Sequence, residues 1–433
     1  MLRAMDSERI EELLRQVQRD TGGAFVTGLA YIGDHLGLFA ALGEQGPVDS
    51  AELAEATGTQ ERYVREWLKA VTAFGYVEHD PAAATWWLTA EQRAVLADEA
   101  SPVFGAGTFQ FAVRSLLHTD ELIEAFRHGG GIAYARLHPE IAPAIDRMHR
   151  AWFDHLLTRS WLPAIPGLAE RLSRGLDVLD VGCGLGRSTA ALAGAYPESR
   201  IVGLDPHPPS AAAAREMTAA FDNVVIVEAA LDDLAASDRE PRHFGLILAI
   251  DCIHDMADPV GALRAIRGLL DADGLFVWSE PTGSTNPLEN RDDSLARVRA
   301  ALSPYHCLTV SLAEGGAGLG AVLRQPGDDR GDGSRERSHR AEHAQHLALP
   351  VRGGIERDQC RETRGDQRAA DGQQGQTAIE REDRWGPADD QQPRNQHGQP
   401  DEHAAGAQEH APQLEAHDDS ERSTAQAGLL QRD

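Results

Sequence analysis

Long apolar runs are missing from this 433-residue sequence. With no stretch of about 18 apolar residues, a membrane-spanning helix is not expected. The opening segment, MLRAMDSERIEELLRQVQRD, lacks the apolar stretch of a secretion signal, so the expected location is cytoplasmic. Positive charge is also short: 41 Lys and Arg stand against 68 Asp and Glu, a net charge of -27 and a pI of about 5.0. That balance disfavours general attraction to nucleic acid or to an anionic membrane. Lysine is reduced to one residue, Lys69. The four cysteines, Cys183, Cys252, Cys307 and Cys360, are dispersed. No pair has metal-ligand spacing and no disulfide framework emerges, so no metal is expected.

What is present changes character along the chain. Apolar runs and aromatics recur up to residue 322. From there to residue 433 Gln, Arg, Asp, Glu, His, Gly and Ala dominate, with Trp385 as the sole aromatic. Such a segment buries too little apolar surface to offset the entropy of ordering, and is expected to be disordered. Residues 24–42 read as a helix with Phe25, Leu29, Ile32, Leu36 and Phe39 on its apolar face. Ser50 is placed to cap a short helix over 51–57, which Gly58 ends. A longer helix over 61–74 aligns Val64, Trp67, Leu68 and Val71, and short strands are expected at 76–78 and 85–88. This is the element order of a winged helix. Its third helix carries Arg62, Arg65 and Lys69 but also Glu61 and Glu66, which favours dimerisation or a pocket wall over DNA binding. Residues 101–170 read as helical; Phe104, Phe109, Phe111, Tyr134, Trp152, Phe153 and Trp161 are core or the lining of an apolar cavity.

From residue 171 the period changes. Apolar strands over 176–181, 201–204, 224–227, 244–250 and 275–278 alternate with helices over 188–196, 209–220 and 259–270. The pattern predicts an α/β fold with a parallel sheet covered on both faces, whose ligands bind at the carboxyl ends of the strands. The first strand leads into Asp180-Val-Gly182-Cys-Gly184-Leu-Gly186, and the second ends at Asp205. The glycines allow a tight turn and close approach of a ligand; Asp205 is placed to accept from ribose hydroxyls. The spacing departs from G-x-G-x-x-G, since residue 187 is Arg. An Asp two residues before the first glycine suits a cationic amino-acid moiety better than a pyrophosphate. A nicotinamide dinucleotide is therefore the poorer fit.

The segment Asp180–Gly186 resembles motif I of class I S-adenosylmethionine-dependent methyltransferases, which have a Rossmann-like core. The stretch Asp251-Cys-Ile-His254-Asp255 resembles the His-Asp segment of small-molecule O-methyltransferases of the bacterial two-domain type, which carry an N-terminal winged-helix dimerisation domain. The resemblance covers about residues 25–320. It implies S-adenosylmethionine as cofactor, a small-molecule methyl acceptor and a homodimer. It implies that Asp180, Gly182, Gly184 and Gly186 meet the methionine part, that Asp205 holds the ribose, and that His254 is the general base oriented by Glu280 after the fifth strand. The family's Gly-Asp after the third strand is replaced here by Ala229-Ala230, so the adenine contact falls to backbone at Ala230–Leu231 or to Asp232; Asp251 is a further cofactor contact. Independently of the family, a histidine near neutrality suits removal of a hydroxyl proton, and Glu280 or Asp255 suits fixing its tautomer. His254 as a loop or capping histidine, and Asp255 as the cap of the next helix, remain alternatives. N-methylation and a catalytically silent regulator are alternative functions.

The division expected is 1–100 winged helix, 101–170 helical pocket region, 171–322 methyltransferase core and 323–433 tail. Members of the family continue with another helix and two strands. The tail has instead the Arg-rich, lysine-free composition of a high-GC gene read out of frame, and a frame slip near 320–325 is expected, leaving the sheet incomplete with an apolar edge.

Overall fold

Helix α1 (Ser7–His35) begins well before residue 24, where a helix was expected: the Asp6 carboxylate caps it by accepting from the amides of Glu8 and Arg9, and Ile10, Leu13, Leu14 and Val17 follow at helical spacing. The computed structural model describes residues 6–237, 243–281, 283–284 and 286–321. The single helix expected over 24–42 is divided at Gly37, whose φ of +71° is open to glycine at little cost. Helix α2 (Leu38–Gln45) then turns Phe39 and Leu42 into the core that Val26 and Ala30 line from α1. Helix α3 (Ser50–Thr57) is capped by Asp49 rather than Ser50: Asp49 accepts from the Glu52 amide and Glu52 accepts from the Asp49 amide. Ser50 Oγ donates instead to Glu61 at 2.6 Å.

Helix α4 (Glu61–Ala73) buries Val64, Trp67, Leu68 and Val71 as expected. The indole N–H of Trp67 reaches back to the Leu29 carbonyl at 2.8 Å, joining α4 to α1. Strands β1 (Glu78–Asp80) and β2 (Thr85–Trp87) form the antiparallel wing, to which Val48 adds a bridge at Trp86. The wing's first strand lies two residues later than expected. On α4 the cations meet acids of the same helix: Arg62 with Glu66 at 2.5 Å, Arg65 with Glu61 at 3.2 Å and Lys69 with Glu66 at 3.9 Å.

The helical stretch comprises α5 (Ala90–Leu96), α6 (Gly107–Leu116), α7 (Thr119–His128), α8 (Ile141–Ala151), which runs on as a π-helical segment Trp152–Trp161, and α9 (Leu168–Arg174). Buried and half-buried ion pairs tie it to α1. Arg147 makes two parallel bonds to Asp34 at 2.8 and 2.9 Å, and Arg114 joins Glu140 at 2.8 Å while donating to the Tyr31 hydroxyl at 2.6 Å. Paired N–H donors on one carboxylate fix orientation as well as distance.

The remaining elements alternate: β3 (Asp177–Val181), α10 (Arg187–Ala195), β4 (Arg200–Leu204), α11 (Pro208–Met217), β5 (Val224–Val227), α12 (Leu231–Ala236), β6 (Phe244–Ile250), α13 (Pro259–Leu269), β7 (Leu270–Ser279), α14 (Ser294–Leu302) and α15 (Cys307–Ala313). The five strands are parallel in the order β5-β4-β3-β6-β7. Successive residues of β6 supply opposite faces, Leu246 and Leu248 to one core layer, Ile247 and Ala249 to the other. Every residue of β6 is buried, as a central parallel strand requires. Strand β7 starts five residues earlier than expected and α12 was not expected at all. The strand order reverses between β3 and β6, which opens a crevice at their carboxyl ends. No single helix among the described residues is long and apolar enough to cross a membrane. The expected disorder of 323–433, the frame slip near 320–325 and the closing strands lie outside the described residues.

Candidate active site

Four of the acids singled out in the core stand at the carboxyl ends of strands facing this crevice. Asp180 is the penultimate residue of β3; Asp205, Asp251 and Glu280 directly follow β4, β6 and β7. Between β3 and α10 the chain reverses through Gly182, Gly184 and Gly186, with φ of +68°, +55° and +89°. A Cβ at Gly182 would stand 2.8 Å from Cys252 Cβ, and one at Gly186 would stand 2.9 Å from Ala214 Cα. At Gly184 nothing lies within 4 Å. Two glycines thus permit close internal packing, while the middle one faces open space.

Asp180 is buried beneath the turn. Its carboxylate accepts from Ser188 Oγ at 2.6 Å and Thr189 Oγ1 at 2.7 Å, both in the first turn of α10. Burial pushes its pKa up to about 6 despite those two donors. Asp205 accepts from the Gly184 amide at 2.9 Å and from the His207 amide at 2.9 Å, one on each oxygen. Burial raises this carboxyl too, against the two amides. The carboxylate is therefore aimed by backbone, with lone pairs remaining for a ligand. Arg187, directly after the turn, grips Asp146 of α8 at 2.6 and 2.9 Å, so the helical stretch is clamped to the glycine turn.

The β6–β7 side is built differently. Asp251 has a φ of +57°, rare for a residue with a Cβ, and its carboxylate meets His149 Nε2 at 3.0 Å. Burial alone would raise the Asp251 carboxyl; the His149 hydrogen bond and charge, aided by His254 and His306, hold it at about 2. Glu280 bridges the next turn: Oε1 accepts from the Ile253 amide at 2.9 Å, and Oε2 takes the short bond from His254 Nδ1. His254 Nε2 lies 3.1 Å from Asp255 Oδ1, out of hydrogen-bond alignment, and 3.3 Å from Cys307 Sγ. Burial alone would lower the imidazole pKa; Glu280, Asp255 and Asp251 outweigh it and push the ring up to about 9. Asp258 caps α13 by accepting from Gly261, so neither His254 nor Asp255 serves as that cap.

Tyr134, between α7 and α8, roofs the crevice. Its ring meets His207 edge-on at 4.9 Å and His306 at 5.9 Å, so it spans from the Asp205 side to the His254 side. Burial, with Asp205 and Asp255 nearby, raises its phenol. Helix α15 closes the far wall: Thr309 Oγ1 accepts from the Ile132 amide at 2.8 Å, and Phe111 packs on His306 at 5.4 Å. Burial raises the thiols of Cys183, Cys252 and Cys307, which makes all three poor nucleophiles.

The sequence matches the family description "Methyltransferase domain" over residues 179–276 and "Rv2258c-like winged HTH domain" over 24–98. The chain carries a methyltransferase domain. Its methyl donor is S-adenosylmethionine, and the site fits that group: an open glycine turn, an oriented carboxylate one strand away, and a reversal of strand order between them. The fold of this domain and of the winged helix before it is shared with solved structures. One is the mitomycin 7-O-methyltransferase MmcR, with TM-score 0.52 and 20% identity over 74% of this chain and 90% of that one. Another is human N-acetylserotonin methyltransferase in complex with SAM, with TM-score 0.52 and 18% identity over 71% of this chain and 88% of that one. No curated protein sequence matches this one.

The methyltransferase domain brings Asp180, Gly182, Gly184, Gly186 and Asp205 together on the β3–β4 side, and Asp251, His254, Asp255 and Glu280 on the other. Ala230 is exposed just before α12, Asp232 is exposed on it, and the Leu231 side chain is buried in the core, so Leu231 offers only backbone to a ligand. Sequence reasoning missed His149 and His306. Neither has a local spacing motif; each enters through a helix distant in sequence. Ser188 and Thr189 were legible in principle, as hydroxyls in the helix turn above a strand-end Asp.

Proposed function

We propose that this protein transfers a methyl group from S-adenosylmethionine to a hydroxyl of a small organic acceptor, with His254 as general base. The observation that carries the reading is the bond from His254 Nδ1 to Glu280. A carboxylate on Nδ1 fixes that nitrogen as the donor and leaves Nε2 to accept a proton. The bound cofactor supplies an electrophilic methyl carbon. The turn from Gly182 to Gly186, with Asp180 beneath it, shapes the methionine end of the pocket; Asp205 orients the ribose, backbone at Ala230 and Leu231 or the Asp232 carboxylate serves the adenine, and Asp251 lines the cleft. Holding acceptor oxygen and methyl carbon in line provides much of the rate. His254 Nε2 takes the hydroxyl proton, and Glu280 and Asp255 stabilise the imidazolium.

The acceptor oxygen must come to Nε2 where Cys307 Sγ stands at 3.3 Å, so α15 yields on acceptor binding. Residues 101–170 wall the acceptor pocket within the proposed division at 100, 170 and 322. Dimerisation through the winged-helix region is supported by Ile10, Leu13, Leu14 and Val17, exposed on α1. The paired cations of α4 favour that role over nucleic acid, and a cytoplasmic setting suits a small-molecule enzyme of this kind. The O-methyltransferase named among the similar folds supports an oxygen acceptor. The test is calorimetric titration with S-adenosylhomocysteine and with NAD, followed by mass spectrometry over a panel of hydroxylated aromatics. Binding of the first alone with methylated product is expected; binding of neither ligand removes the reading. One observation favours cofactor binding without turnover: the His254 ring is 2% exposed and its Nε2 is covered by Cys307. S-adenosylhomocysteine binding with no product from any acceptor would select that alternative.

A further inference from the structure

We propose that His254, Asp255 and Cys307 form a Zn2+ site, with His306 beside it. The ligand-type atoms of the first three lie within 4.8 Å of one another. His254 Nε2 is 3.1 Å from Asp255 Oδ1 and 3.3 Å from Cys307 Sγ. Ligands at about 2.0–2.3 Å from a tetrahedral ion stand roughly 3.3–3.8 Å apart, so the cluster needs only small side-chain adjustments to close on one. Imidazole, carboxylate and thiolate together suit zinc better than a hard cation.

Three further observations point the same way. Glu280 holds Nδ1 of His254, the carboxylate–histidine arrangement that orients a metal-binding ring. Asp255 Oδ1 and His306 Nδ1 are both buried without a hydrogen-bond partner. His306 Nε2 lies 3.8 Å from Asp255 Oδ2, so its ring borders the three ligands without being one of them. On binding, two protons leave to solvent, one from Cys307 S–H and one from His254 Nε2, so the sulfur becomes thiolate and the imidazole binds as the neutral ring with Nδ1–H still on Glu280. The ligands come from residues 254, 255 and 307, which is why no cysteine spacing announced them. The ion would occupy the nitrogen assigned to proton removal, so bound zinc would silence that step.

The test is Co2+ titration of the chelator-stripped full-length protein, read by thiolate-to-cobalt absorbance, followed by Zn2+ displacement against a chromophoric chelator. One Co2+ per chain with a thiolate band is expected. The band is lost in Cys307→Ser and kept in Cys360→Ser, which controls for the tail. Asp255→Asn keeps the band but weakens affinity at least about 10-fold, a readout that does not depend on Cys307→Ser folding. Absence of a thiolate band in folded wild-type protein, or an undiminished band in Cys307→Ser, overturns the proposal. S-adenosylhomocysteine binding is measured in parallel. Its failure beside a cobalt band removes only the methyltransfer reading, and its success without a band removes only the zinc site.

Discussion

The two sides of the crevice are built on opposite plans. On the β3–β4 side each acid is satisfied by groups close to the turn: Asp180 by two hydroxyls of α10, Asp205 by the amides of Gly184 and His207. Backbone and short side chains hold the shape, as suits a site that must be ready before its ligand arrives. On the β6–β7 side Asp251 sits in a strained conformation, His254 is drawn between Glu280 and Asp255, and two polar atoms lack partners. The contributing groups arrive from α8, from the start of α15 and from two strand ends. The first plan favours binding; the second stores unbalanced charge and proton affinity, which is what chemistry uses.

Several substitutions would break or sharpen that contrast. The largest effect is expected at His254→Ala: turnover falls by about 10²–10⁴-fold, while calorimetry shows S-adenosylhomocysteine binding unchanged. Weakened cofactor binding in this variant would mean that the two sides are not separable. Because the ring is pushed up to about 9 and the neutral imidazole is the base, turnover should rise with pH through that value. Glu280→Gln removes the leading raising contribution, so the rising limb should move to lower pH; a fixed midpoint would count against His254 as the titrating group. Asp205→Ala should weaken S-adenosylhomocysteine by roughly 100-fold, through the loss of charge-assisted hydrogen bonds worth about 1.5–3 kcal/mol each.

Asp180 offers a stability test. Its folded pKa of about 6 exceeds the value of roughly 3.9 expected in the unfolded chain. The folded state thus binds the proton more tightly, and stability falls as pH rises from near 4 through 6. Asp180→Asn, which keeps an acceptor for Ser188 and Thr189, should gain roughly 2–3 kcal/mol at pH 8 and little at pH 4, by urea unfolding at the two pH values. Equal gains at both would show that the buried charge is not the cause. The smallest effect lies outside the crevice: Asp49→Ala should cost about 1 kcal/mol through loss of the capping box, measured by thermal unfolding.

The same contrast explains what the sequence made legible. The β3–β4 side could be read because its parts are consecutive: a β-rich run, the glycines, and an acid ending the next strand. β5 and β6 lie where their apolar runs lie, since a buried parallel strand has little freedom to start elsewhere. The break at Gly37 was hidden because apolar spacing continues across it, and Asp49 was passed over for the neighbouring Ser50 because either residue type caps helices. On the β6–β7 side His254, Asp255 and Glu280 were picked out by resemblance, and the general acid–base chemistry of their side chains was the only support from the residues themselves. His149, His306 and the contact of Cys307 with His254 depend on how distant helices pack, and no local period encodes that.

Lys69 stands 61% exposed at its side chain on the outer face of α4. As the only lysine it gives the winged helix the one side-chain amine of the entire chain. Once the α-amine of the chain has been blocked at near-neutral pH, an amine-reactive fluorophore coupled at high pH marks one defined place on this domain. Energy transfer or anisotropy from that dye would report self-association of the winged helix without introducing a mutation.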